Sequence, residues 1–216
     1  MAPISVYLEI GKKRVFACSV DWPGWCRSGR TEETALEALA AYAPRYRIVA
    51  EQAEVAFPAR AGDAFDVVER VPGDGNTDFG APGRVPACDA RPLTARRAAR
   101  DAALVAAAWA VFDRVAAAAP EALRKGPRGG GRDRDAIVRH VVEAEASYAR
   151  RIGIRRPAPD PADTAAVAGL RAAILEVLRA ARAGDPVLAK GWPPRYAARR
   201  IAWHVLDHAW EIEDRG

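Results

Sequence analysis

Two hydrophobic periods divide this chain: an alternation of apolar and polar positions up to about residue 72, and a recurrence every three to four positions from Leu93 onward. Residues 5–10 alternate as a half-buried strand does. Gly11-Lys12-Lys13 reads as a turn, residues 14–20 as a second strand and residues 27–30 as a short third. Between them, Asp21-Trp22-Pro23-Gly24-Trp25 demands a turn. Thr31 then opens a helix. Its hydroxyl suits the free amides of a first turn, and Glu32 and Glu33 oppose the positive end of the helix dipole. Ala35, Leu36, Leu39 and Ala40 form its apolar stripe to Tyr42; Pro44 jogs the helix, which resumes to about Ala53. Residues 65–71 read as another strand, and Pro72–Gly83 as loop by composition.

The second half predicts four helices of similar length, over about residues 95–119, 133–152, 161–183 and 194–214. Leu104, Trp109, Phe112 and Val115 mark the inner side of the first. Pro194 suits a first-turn position, where no amide bond is lost. Four amphipathic helices on short loops make an up-down four-helix bundle. The expected fold class is therefore α+β: a small α/β domain at 1–72, a linker at 73–92 and an all-α four-helix bundle at 93–216.

Composition narrows the function classes. Half of the residues are hydrophobic, enough for a core, and no apolar run approaches the roughly 20 residues that span a bilayer. Residues 1–9 lack the basic-then-apolar pattern of a signal peptide, so a cytoplasmic location without membrane association is expected. The net charge of +5 is almost wholly arginine, since Lys12, Lys13, Lys125 and Lys190 are the only lysines. This Ala- and Arg-heavy usage fits a GC-rich bacterial genome and needs no nucleic-acid partner. The one dense basic patch, Arg124, Lys125, Arg128, Arg132 and Arg134, lies on a glycine-rich stretch and reads as a solvated loop. Cys18, Cys26 and Cys88 are odd in number and lack CxxC spacing; reduced thiols are expected, with no role for Cys26 as a nucleophile. Trp22 and Trp25, flanking the Pro-Gly turn, are expected to pack in the small domain or between the halves, and Trp203 and Trp210 to pack beside the histidine seam.

The chemistry is concentrated in the histidines. The chain has three, His140, His204 and His208. His204 and His208 are four residues apart, which stacks two imidazoles on one helix face. They share the apolar seam Ala197, Ile201, Val205 and Ile212, and His140 shares another with Ile137, Val141, Ala144 and Tyr148. Burying three separate imidazoles is costly unless each finds partners, and one divalent ion partners all three. Histidine alone does not choose among zinc, nickel, iron and manganese; zinc is the ion expected first.

At these residues the chain resembles a known family. Residues 133–143 around His140, with Trp203-His204-Val205-Leu206-Asp207-His208-Ala209-Trp210-Glu211, are similar to the DinB-like superfamily of metal-binding four-helix proteins. The resemblance spans about residues 91–216 and implies one histidine ligand from the second helix and two from the last. It also implies an enzyme that acts on a small-molecule substrate through a low-molecular-weight thiol, as mycothiol-type transferases and isomerases do. A metal-dependent hydrolase and a non-catalytic metal-binding or stress-response protein are the alternatives, and a homodimer is compatible with each. More faintly, Val6–Glu9, the Asp21-Trp22-Pro23-Gly24 turn and Thr31–Leu36 resemble the HicB-antitoxin-like fold, although Thr34 stands where an acidic residue is usual.

Three imidazoles leave a coordination position open, the mark of a catalytic rather than a structural ion. Glu143, three residues after His140, and Glu211, three after His208, are the candidate catalytic or orienting carboxylates. Their bland alternative is surface pairing with Arg150, Arg200 or Arg215. Asp207 precedes His208 and points away, so this is not an HExxH arrangement.

Overall fold

A computed structural model describes residues 3–125, 130–186 and 188–216 of the chain; Arg128 of the basic patch lies outside them. The amino-terminal half is a four-stranded mixed sheet of order β3-β2-β1-β4. Its strands are β1 (Ile4–Ile10), β2 (Val15–Ser19), β3 (Cys26–Gly29) and β4 (Phe65–Pro72). β1 pairs antiparallel with β2 and parallel with β4, with an irregularity between Val6 and Tyr7. Helices α1 (Glu32–Ala41) and α2 (Ala43–Gln52) lie between β3 and β4 in sequence. Thr31 caps α1 through a reciprocal box: its hydroxyl accepts from the Thr34 amide, and Thr34 accepts from the Thr31 amide. The jog expected at Pro44 is the α1–α2 junction.

The stretch expected as loop contains a short helix, α3 (Gly75–Phe79), and the rest of the expected linker carries a 3-10 turn over Ala87–Ala90. Asp74 caps α3 by accepting from the Asn76 amide at 2.8 Å. This segment lies over one face of the sheet. Glu9, fully buried on β1, accepts from Thr77 Oγ1 at 2.6 Å and from the amides of Gly83 and Arg84 at 3.0 and 2.9 Å.

Four long helices follow, α4 (Ala95–Ala118), α5 (Arg134–Arg151), α6 (Thr164–Ala180) and α7 (Pro194–Arg215). α4 packs on α2, α6 and α7, whereas α5 packs chiefly on α6 and α7. Arg171 of α6 ties three of them together. It grips Glu145 of α5 with two bonds of 3.0 Å and Asp113 of α4 with one of 2.7 Å. The expected alternation between 3.6 and 2 is thus met by seven helices and four strands among the described residues, an α+β class.

One continuous apolar cluster runs through both halves. It joins Val6, Leu8, Trp25, Leu39 and Tyr46 to Leu104, Phe112, Ile137, Ile174, Ile201 and Trp210. Trp25 is fully buried, stacks on Tyr46 and donates its indole N–H to the Leu39 carbonyl at 2.9 Å. On the opposite sheet face, Tyr7, Phe16, Cys18 and Val71 form a smaller cluster with Trp203 of α7. The sheet is therefore covered on both sides, and α7 reaches both clusters.

Two contacts fix α7 against the sheet. Gly24 sits in the left-handed region at φ +92°, and a Cβ there would meet Leu206 Cδ1 at 2.7 Å and Ala202 Cβ at 2.9 Å. The Pro-Gly turn thus presses glycine backbone directly onto α7, which only a residue without a side chain permits. Arg199 of α7 forms a fully enclosed ion pair with Asp89 of the 3-10 turn.

The expectation of three reduced thiols is corrected for two of them. Cys18 and Cys26 are directly opposite in the β2–β3 register and are joined as a disulfide, with a Cα separation of 4.1 Å. A search for spacing along the chain does not see neighbours across a sheet. Cys88 is free and buried, and burial pushes its thiol pKa up.

Candidate metal centre

α5 and α7 carry the site. Asp133 stands at the N-cap of α5, where its carboxylate accepts from the Leu123 amide at 3.2 Å and from Lys125 at 2.5 Å, anchoring the start of the helix. α7 starts on Pro193-Pro194 and runs unbroken for 22 residues, buried along most of its length. Ile137, Val141, Val142 and Ala149 seat α5 in the core, and Ile201, Val205, Leu206 and Ile212 seat α7. These apolar rows bring the histidine-bearing faces together.

His140, His204 and His208 offer ligand atoms that all lie within 4.8 Å of one another. The Nε2 atoms of His140 and His204 are 3.2 Å apart. Two nitrogens each held at 2.0–2.1 Å by a tetrahedral zinc ion would stand about 3.3 Å apart, so this separation fits a shared ion. The ring centroids form a near-equilateral triangle of 5.0, 5.0 and 4.7 Å. His204 is 8% exposed, while His140 and His208 are partly open to solvent, so the centre is reached from one side.

The electrostatics keep the imidazole lone pairs free. Burial lowers the pKa of His140, and that of His204 falls well below the usual imidazole value for the same reason; the neighbouring His208 pushes both in the same direction. Both rings are thereby kept neutral, with lone pairs available. His208 is oriented from outside: its Nδ1 lies 2.8 Å from Glu211 Oε2, which fixes Nδ1 as the donor and leaves Nε2 as the acceptor. Arg215 holds the other oxygen of Glu211 at 2.5 Å. The hydrogen bond from His208 keeps the Glu211 carboxyl below its usual pKa. A ligating imidazole backed by a carboxylate is the usual second layer of a metal site.

The two candidate carboxylates separate in role. Glu211 is engaged by His208 and Arg215 together, so the anticipated surface pairing with Arg215 and an orienting role coexist. Glu143 is exposed on α5 and bonds none of the three imidazoles among the described residues. Asp207 points away from the centre to Arg27 of β3, at 2.8 Å. Trp22 and Trp25 lie in the core rather than over the site. Aromatic rings border the centre instead. Tyr148 meets His204 edge-on at 5.5 Å, Trp192 lies 5.1 Å from Tyr148, and Trp203 lies 6.2 Å from His204. Trp192 carried no helical signal in the sequence; the Pro-Pro pair after it marks only where α7 starts.

These features define an α+β protein with three histidines grouped closely enough that they could hold one metal ion. Compared with protein-family models, curated proteins and solved structures, the chain matches none.

Proposed function

We propose that this protein is a divalent-metal-dependent enzyme of the DinB-like type, with zinc as the expected ion and a small thiol as its co-substrate. In this reading the four long helices form a DinB-like bundle and the sheet half a HicB-like module. The observation that carries it is the convergence of three imidazoles, from two helices, within bonding reach of one ion. The ion, when bound, supplies Lewis acidity that favours the thiolate form of a thiol at its open position. The chain's own residues hold it there. His140 and His204 present neutral nitrogens, Glu211 fixes the ring of His208, and Tyr148 and Trp203 border His204.

Thiol activation is preferred to hydrolysis because, among the described residues, neither candidate carboxylate is placed as a base at the centre: Glu143 is exposed and bonds none of the imidazoles. Water attack calls for a base beside the nucleophile, and Glu211 is already committed to His208 and Arg215. Neutral ligands and a side open to solvent favour an enzyme over a closed structural site.

Elemental analysis of the purified protein tests the reading. The wild type is expected to hold about one divalent ion per chain, and His204→Ala to lose most of it, since two imidazoles bind far more weakly than three. Full occupancy in that variant would overturn the assignment. A thiol-conjugation assay across several electrophiles then separates transferase from hydrolase.

A further inference from the structure

Arg200 lies one helical turn before His204 on α7, about 6 Å along the axis. Its guanidinium lies over the rings of Trp203 at 4.6 Å and Tyr148 at 5.5 Å, the two aromatics that border His204. One N–H donates to the Pro82 carbonyl at 2.8 Å. No carboxylate pairs with it among the described residues, whereas its neighbour Arg199 is matched to Asp89. The group is thus fixed by stacking and one backbone bond, and its remaining donors have no protein acceptor among the described residues.

The charge balance of the centre sharpens this. Three imidazoles bring no negative charge to a divalent ion. The nearest bonded carboxylate, Glu211, is offset by Arg215 at 2.5 Å. Glu143, the other acidic neighbour of His140, is exposed and bonds none of the imidazoles, so an ion at this site would keep most of its positive charge, with a second fixed cation one turn away. A ligand that bridges the two must supply the missing negative charge. A single guanidinium forks onto a carboxylate or a phosphate alike, but its one charge matches a carboxylate, whereas a phosphate monoester carries about −1.5 to −2 and would exceed it.

Resting on the metal-centre reading above, we propose that Arg200, stacked on Trp203 and Tyr148, is the carboxylate-recognising end of the substrate site, so that the substrate is a small carboxylate whose reactive end lies at the three-histidine centre and whose anionic end lies about one helical turn away.

The test uses the full chain loaded with cobalt(II), whose thiolate charge-transfer absorption reports ligand at the open position. Two probes are titrated at one pH, 3-mercaptopropionate and 2-mercaptoethanol, which share a thiol and differ in the carboxylate. The carboxylate probe is expected to bind roughly tenfold more tightly or better, the scale of one charge-assisted hydrogen-bonded contact. Arg200→Gln should abolish that preference while leaving mercaptoethanol affinity unchanged, and Arg200→Lys should keep part of it. Equal affinities in the wild type overturn the proposal, as does a preference that persists undiminished in Arg200→Gln, since the ion's charge would then be its source. Failure of the protein to take up cobalt overturns the metal centre itself, an outcome distinct from both. The wild-type comparison stands even where a variant folds poorly.

Discussion

His208 shows how much one side chain can depend on another. An imidazole has two nitrogens, and a ligand must present the right one. Glu211, one turn further along α7, accepts a hydrogen bond from Nδ1–H and is itself held by Arg215. Glu211→Ala frees the ring to rotate and to change tautomer. Metal affinity should fall about 10- to 100-fold, as measured by chelator competition, with little change in helicity by circular dichroism. The three histidines were legible in the sequence because a four-residue spacing and an apolar seam are local signals. The His208–Glu211 link was half legible, since a three-residue spacing allows it without distinguishing it from surface pairing. Arg200 was legible only as a surface charge. Its place beside His204 depends on Tyr148, which another helix supplies.

Elements were read well wherever their signals are short-range. The cap at Thr31, the break at Pro23-Gly24 and the start at Pro194 all fall where local chemistry puts them. The stretch from Pro72 to Gly83 was read as loop, within a linker at 73–92, because glycine and proline dominate it, yet the linker carries α3 and a 3-10 turn. What organises it is remote: Glu9 gathers Thr77, Gly83 and Arg84 across 68 to 75 residues of sequence. Alternation along β1 marks Glu9 as polar but not as buried. The same segment delivers Asp89 to Arg199. Replacing Arg199 with Met leaves an enclosed carboxylate without its counter-charge, at a cost of about 3–5 kcal/mol. Urea denaturation should show this as a lower midpoint at unchanged slope. Wild-type stability in Arg199→Met would mean that the pair contributes nothing to docking this segment.

Across the whole molecule, the change of period near Leu93 told where strands give way to long helices, but not that their interiors merge. That merging is made by contacts with no local signature. Gly24 touches Ala202 and Leu206, Trp203 joins the sheet's far face, and Arg27 reaches Asp207. α7 is thereby held from behind by the sheet while its histidines face α5. The disulfide between Cys18 and Cys26 was missed for the same reason, since strand register rather than spacing brings the pair together.

The uneven seating of the long helices has a consequence for folding. α5 leans chiefly on two neighbours, and one of its few polar ties to α7 is the His140–His204 contact. An ion shared by that pair would rivet the least supported helix to the best supported one. With free metal at about 100 times its Kd, the rivet contributes about 2.7 kcal/mol. Hydrogen exchange should therefore find the amides of α5 opening faster once a chelator is added, with those of α7 little changed. Uniform acceleration along the chain would show the ion fastening the whole fold instead. Under the proposed function, a protein built this way would register scarcity of the ion by loosening one helix before it loses its shape.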